Sequence, residues 1–272
     1  MARTPSFQDL TETTGIPISR EAADMMYTRY RMAARAAGRK RVLELGCGAG
    51  QGLGLLGDVA TAVVGGDYSR ALLSSARAHY GRRFPLACLS ADYLPFAGSA
   101  FDLVLCFETS YYVPDMTRGL KEIVRVLRPG GTVLFANANP ERPDFIRSPH
   151  STHYHTADEF RAALGSLGME VEVAAGFPLD VRTAGAPRRI VGAIFSLARR
   201  VLDRLHLVPT TLRGRARLKR LIHGKLVAVP AELGEGFAQE AARQPVAPGP
   251  VRGFKVLYVS ARKPGPDLDS RL

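Results

Sequence analysis

The sequence predicts an α/β fold, a doubly wound and mostly parallel sheet covered by helices. Three observations carry this. Short apolar runs alternate with helical patterns from residue 39 to about 177. One run, Phe101 to Phe107, is apolar almost throughout, as expected of a strand covered on both faces. A third, Val42-Leu43-Glu44-Leu45, passes at once into the turn Gly46-Cys47-Gly48-Ala49-Gly50, where the backbone can approach a ligand closely.

Composition bounds the reading. At 272 residues and 46% hydrophobic, the chain can bury one substantial core with an elaboration. There is no uninterrupted run of about 18 apolar residues. The first residues mix Arg3, Asp9 and Glu12 without an apolar signal region. The expectation is therefore a cytoplasmic protein, neither secreted nor membrane-spanning. Cys47, Cys88 and Cys106 lack ligand-like spacing and are expected to be buried thiols rather than a disulfide or metal site. The net charge of +12 is concentrated: residues 181–230 hold twelve Lys or Arg against the single acid Asp203.

In chain order, residues 1–18 form an extended arm, and Ser19 caps a helix over 21–37 that Gly38 ends. Tyr27 and Tyr30 share one face of it, either packing on the sheet or closing over the next turn. A helix begins in 51–57, and a strand over 60–66 leads to Asp67. Ser69 caps a helix to about Tyr80, and a strand over 84–89 leads to Asp92. After Phe101–Phe107, a helix over 115–127 is stopped by Pro129-Gly130-Gly131, and a strand follows over 132–136. Residues 137–156 read as a long binding loop or lid. A helix over 157–167, a strand over 171–175, the basic segment and a last strand over 253–261 complete the chain, with a loose tail after Lys263.

The glycine turn admits two cofactors. A dinucleotide site favours glycine at the sixth position, which is Gln51 here, so that reading is weakened without being excluded. Asp67 suits ribose hydroxyls in either case. Asp92, a third carboxylate at the same sheet edge, suits an exocyclic amine, so an adenosine along the first three strands would meet Glu44, Asp67 and Asp92 in turn.

Five pieces between residues 42 and 131 together resemble the class I methyltransferases that use S-adenosylmethionine. They are Val42 to Gly50, Gly66-Asp67-Tyr68-Ser69, Ala91-Asp92-Tyr93-Leu94-Pro95-Phe96, Phe101 to Glu108, and Val126 to Gly131. The resemblance implies a seven-stranded sheet whose last strand is antiparallel. It implies that Glu44, Gly46 and Gly48, with Gln51 beside them, cradle the methionine part, that Asp67 holds the ribose, that Tyr68 lies on the adenine, and that Asp92 and the Tyr93 backbone read the adenine edge. Tyr30 and Phe107 are placed as further cofactor contacts. S-adenosylmethionine carries no phosphate, so glycines serve close approach and acids suit a sulfonium. Glu12 to Pro17 and Leu218 to Val227 look similar to a bacterial subgroup with small-molecule or glycan acceptors.

Methyl transfer asks mainly for alignment and, with a hydroxyl acceptor, removal of a proton. Many small-molecule relatives carry histidines after the fourth strand; this chain has Ser110-Tyr111-Tyr112-Val113-Pro114. Tyr111 and Tyr112 either line the acceptor pocket or pack under the lid, and Glu108 is a further acceptor contact. The other proton-handling candidates are His153 and His155, which serve either the pocket or the surface; with no remote Cys or acidic partners they are not assigned a metal. The expected parts are an arm and capping helix over 1–38, a core over 39–177 and 251–263, and a basic helical insertion or lid over 178–250. In the insertion, Ile190, Ile194, Leu197, Val201 and Leu205 make one helical face, and a second short helix is expected over 213–224. Its cations suit an anionic small-molecule acceptor or peripheral membrane contact through 188–225. Nucleic acid is disfavoured because Phe195 is the segment's single aromatic. The expected activity is methyl transfer to an oxygen, in preference to a nitrogen, of a sugar or specialised metabolite. The rivals are a nucleic-acid methyltransferase, an NAD-linked reductase and a non-catalytic basic adaptor.

Overall fold

The computed structural model describes residues 13–148, 150–179 and 226–265. The helices expected at 188–207 and 213–224, and with them most of the basic segment, lie outside the described residues. Strand β1 (Pro17–Ser19) leads into α1 (Arg20–Ala37), whose first turn is closed by the Ser19 hydroxyl accepting from the Ala22 amide at 3.2 Å. Then come β2 (Arg41–Leu45), α2 (Leu53–Gly57), β3 (Ala62–Asp67) and α3 (Arg70–Tyr80), the last capped by Ser69. The edge strand β4 (Leu86–Cys88) is followed by β5 (Phe101–Phe107), a short 3-10 turn (Ser110–Tyr112) and α4 (Met116–Val126), capped by Asp115. The order continues with β6 (Leu127–Ala138), α5 (Ala157–Gly165), β7 (Glu170–Pro178), β8 (Leu226–Ala228), β9 (Arg243–Pro245) and β10 (Phe254–Arg262).

The main sheet has the order β4-β3-β2-β5-β6-β10-β7-β9. Pairings from β4 to β6 are parallel, whereas β10 runs antiparallel to both β6 and β7. The strand order reverses between β2 and β5, so a crevice opens at their carboxyl ends. Alternate residues feed two cores, one on each face. Val42, Leu103 and Leu105 pack towards α1 and α2, and Leu43, Val104 and Phe135 towards α4 and α5.

The structure departs from the sequence expectation in four places. Among the described residues the sheet has eight strands rather than seven, because Arg243–Pro245 pairs with the outer edge of β7. The chain passes from α4 directly into β6, Leu127 already being extended, so Pro129-Gly130-Gly131 lie inside the strand rather than in a stop before it. Cys88 is exposed, not buried: it ends a three-residue strand at the edge of the sheet formed by the described residues. The described end of the expected helical insertion, 226–250, carries strands and a strap instead of helix. β8 pairs with β1, and the chain then crosses α1, burying Val229, Leu233 and Ala238. Strap amides donate to the Tyr27 hydroxyl (Gly236, 3.1 Å), Asp24 Oδ1 (Gln239, 2.8 Å) and the Thr28 hydroxyl (Ala241, 2.9 Å).

Gly52, beside the glycine turn, lies under the Tyr30 ring, and a Cβ there would collide with the ring carbons. Gly52→Ala is expected to cost about 1–3 kcal/mol through overpacking, read as a lower urea midpoint with an unchanged slope.

Candidate active site

The crevice at the end of β2 and β5 holds a cavity of about 440 Å³, within the usual range for a small-molecule site of about 300–1,000 Å³. Its floor is the glycine turn. Gly46, Gly48 and Gly50 have φ of +73°, +57° and +87°, a region that disfavours side chains. A Cβ on Gly46 would strike Thr109, whereas one on Gly48 would meet only the Gln51 side chain, at 3.7 Å. Close approach is thus needed at the first glycine for packing and remains open for a ligand at the second.

Asp67 holds this turn in place. Its Oδ2 accepts from the Gly48 amide at 2.8 Å and its Oδ1 from the Ser69 amide at 2.7 Å. Burial raises its pKa, opposed by these two hydrogen bonds. Each carboxylate oxygen keeps a further lone pair, so Asp67 can still accept from a ligand hydroxyl in the cavity it lines. Gln51, where a dinucleotide site favours glycine, reaches the N-terminal arm instead: its amide donates to the Thr14 hydroxyl at 3.2 Å.

Among the residues expected from sequence, the cavity brings together Tyr30, Gly46, Gly48, Gln51, Asp67 and Tyr68 on the cofactor side, with Phe107, Glu108, Tyr111 and Tyr112 beyond them. Tyr68 is 57% exposed, at the rim. Glu44 is not on the wall. It lies behind Tyr30, whose hydroxyl donates to Oε1 at 2.6 Å, and its Oε2 is buried without a protein partner. Burial raises its pKa to about 7, with Asp67 adding to the rise and the Tyr30 hydrogen bond and Arg29 opposing it.

Asp92 and Tyr93 are also off the wall. Asp92 accepts from the Ser90 hydroxyl, and the Tyr93 amide donates to the Ser90 carbonyl at 3.1 Å, so Ser90 and Ala91 face the cavity in their stead. The exposed Tyr93 ring lies against the Arg118 guanidinium, 5.6 Å away.

The far side is built by clamping the loop after β6 onto the 3-10 turn. Thr152 donates from its amide to the Tyr111 carbonyl (2.7 Å) and its hydroxyl contacts the Tyr111 and Val113 carbonyls. The Tyr111 ring stacks on Tyr154 with centroids 4.0 Å apart, and its hydroxyl donates to Glu108 Oε2 at 2.5 Å. Burial first, then the Glu108 charge, pushes the Tyr111 hydroxyl well above its ordinary pKa, so it stays a proton donor. Glu108 itself has φ of +48°, a left-handed conformation that is uncommon outside glycine and recurs at functional sites.

His153 and His155 do not reach the cavity. His153 faces Glu159 at the start of α5, and His155 lies against Phe160, its pKa lowered by burial and by His153. His150 and Thr152 line the wall instead, as do Arg29, Met26 and Thr13. None of the five is a site candidate from sequence, although His150 and Thr152 belong to the same His-rich stretch as His153 and His155. Arg29 and Met26 had one available signal, their place beside Tyr30 and one turn before it on the capping helix; the other three depend on how the arm and loop fold back.

This sheet order, with a glycine turn after β2 and an acid at the end of β3, is that of the class I methyltransferase fold. A family profile described as a methyltransferase domain matches residues 43–135. A probable S-adenosylmethionine-dependent methyltransferase of Mycolicibacterium smegmatis is 37% identical over 168 residues, covering 57% of this chain and 64% of that one. A ubiquinone biosynthesis O-methyltransferase of Thiobacillus denitrificans is 31% identical over 119 residues, covering 42% and 51%. Among solved structures, the YcgJ protein of Bacillus subtilis superposes with a TM-score of 0.55 at 14% identity, covering 88% of this chain and 99% of that one. The matches span less than two thirds of the two curated relatives' own lengths. The chain thus carries a methyltransferase-domain match at residues 43–135 on a class I methyltransferase fold, and the relatives it resembles point to S-adenosylmethionine as the cofactor. The site fits that cofactor: the second glycine is open to it, Asp67 has acceptor capacity left, and the acids suit a sulfonium.

Two outcomes follow from this geometry. Asp67→Ala removes the anchor of the glycine turn and a carboxylate with acceptor capacity left in the cavity, and is expected to weaken S-adenosylhomocysteine binding by about 10-fold or more, as loss of a charge-assisted hydrogen bond does, measured by calorimetry. For Glu44, the raised native pKa favours the neutral form, so its contribution to stability is present below the unfolded value and is lost as pH rises through about 7. The wild type should therefore lose roughly 3 kcal/mol relative to Glu44→Gln between about pH 4 and pH 8, measured by urea denaturation across pH.

Proposed function

We propose that the protein transfers a methyl group from S-adenosylmethionine to an oxygen of a small-molecule acceptor, a sugar or specialised metabolite. The observation that carries the reading is a single cavity joining the Asp67 and glycine-turn side to a proton-handling side made of Glu108, Tyr111 and Tyr112. The cofactor supplies an already activated methyl carbon, so the chain's tasks are alignment, exclusion of water and management of the acceptor's proton. Asp67 and the turn orient the donor end. Glu108, oriented by the Tyr111 hydroxyl, accepts a hydrogen bond from the acceptor hydroxyl and takes its proton as the new bond forms. Tyr112, whose hydroxyl pairs with that of Ser148, ties the loop over the acceptor.

The O-methyltransferases among the relatives support oxygen as the target. The concentration of cations in residues 181–230 supports an acceptor bearing anionic groups. Among the described residues no helix is long and apolar enough to cross a membrane.

Incubation with methyl-labelled S-adenosylmethionine and a small-molecule extract of the source organism, followed by mass spectrometry, should yield a labelled ether or ester; label on nucleic acid alone, or on nothing, would contradict the proposal. Against that acceptor, Glu108→Gln should slow transfer about 100-fold, the usual scale of a lost general base, with S-adenosylhomocysteine affinity within about twofold.

A further inference from the structure

Glu44 is a buried acid beside the cofactor side that the reaction does not use. Only 1% exposed, it sits two residues before the first glycine of the turn, and the Tyr30 ring separates it from the cavity that Tyr30 lines. One of its oxygens is held by the Tyr30 hydroxyl, and the other is buried with no protein donor. A carboxylate left so is costly, and a neutral carboxyl is the natural response. The groups facing it are Arg29 and Tyr30 from α1, Asp67 from β3, the Cys47 thiol in the turn and, more weakly, Tyr80 from α3; β5 presents Leu105 beside it. Arg29 favours its ionised form and Asp67 opposes it, and both line the cavity. The balance is therefore set at the place where the ligand's charge enters.

Resting on the cofactor assignment above, we propose that Glu44 is a charge-sensing residue of the cofactor seat, ionised when the sulfonium donor is bound and neutral when the thioether product remains. S-adenosylmethionine carries one more positive charge than S-adenosylhomocysteine. Binding of the donor is accompanied by release of the Glu44 proton to solvent. After transfer that charge is gone, and Glu44 regains a proton from solvent, equal in number to the one the acceptor hydroxyl has shed. Charge and protons balance around the cycle: carboxylate, sulfonium and alcohol become carboxyl, thioether and ether. The site thereby prefers donor over product, and the preference widens with rising pH. Its native pKa of about 7 places this exchange near neutrality.

Calorimetric titration of the full chain with S-adenosylmethionine and with S-adenosylhomocysteine, in phosphate and in Tris at neutral pH, counts the protons exchanged. The donor should release more protons than the product, by a measurable fraction of one. The ratio of product to donor dissociation constants should rise with pH, by up to about tenfold for each unit by which the two complexes differ in pKa. Glu44→Gln should abolish both differences. Tyr30→Phe, which keeps the carboxyl but removes its donor, should move the pH dependence upwards, so the test survives if the first variant does not fold. Equal proton counts for the two ligands in the wild type, a difference that persists in Glu44→Gln, or an unmoved dependence in Tyr30→Phe would overturn the proposal. Failure of both ligands to bind would instead overturn the cofactor assignment, and the proposal with it.

Discussion

The carboxylate of Asp67 is the contact on which the site depends. It ends β3, yet its two oxygens take amides from both flanking segments, Gly48 in the turn after β2 and Ser69 at the cap of α3. A glycine turn is conformationally free by itself and must be held from outside if it is to present a fixed surface. Asp67 does this from the neighbouring parallel strand, helped by the Gly66 carbonyl, which accepts from the Gly46 and Cys47 amides at 2.8 and 3.1 Å. The same group thus shapes the cofactor seat and offers a ligand its remaining acceptor sites.

Around this anchor the cavity is closed by segments distant in sequence. Tyr30 packs over Gly52 and edge-on to Phe107, 5.6 Å away, so one side chain from α1 seals the turn, the end of β5 and Glu44 together. The strap after β8 presses α1 onto the sheet from outside, with the Leu233 amide on the Gln51 carbonyl at 2.7 Å. Exposed ion pairs such as Arg31–Glu235 accompany it, but buried apolar residues and satisfied amides are the larger contribution, because surface pairs are worth little. The far side of the cavity is instead held by the loop of residues 150–154, through Thr152 and the stacked Tyr111 and Tyr154.

Charge divides the two sides of the cavity by task. Asp67 and Glu44 stand at the glycine-turn side, and both are pushed towards neutrality by burial. Glu108 stands at the far side with a phenol donating to it. Three acids at one sheet edge therefore have different partners: two backbone amides for Asp67, one hydroxyl and an empty side for Glu44, and a tyrosine for Glu108.

The sequence alone determined the architecture and the placing of the glycine turn and Asp67 at the crevice. Apolar runs of strand length, caps at Ser19, Ser69 and Asp115, and a glycine turn followed by Asp67 are local signals, because the hydrogen bonds and backbone angles they require lie within a few residues of one another. The edge strand Arg243–Pro245 was not legible, since its three residues pair only because β7 offers an open edge. Tertiary structure alone decided which polar groups face the cavity. His153 and His155 are as proton-competent as His150 in sequence, but the fold of the loop turns them to Glu159 and Phe160. Glu44 and Asp92 stand in the motif like Asp67, yet one is shut behind Tyr30 and the other faces Ser90. A motif specifies what a short stretch of backbone can do; which of its side chains meet a ligand depends on burial supplied by residues far along the chain.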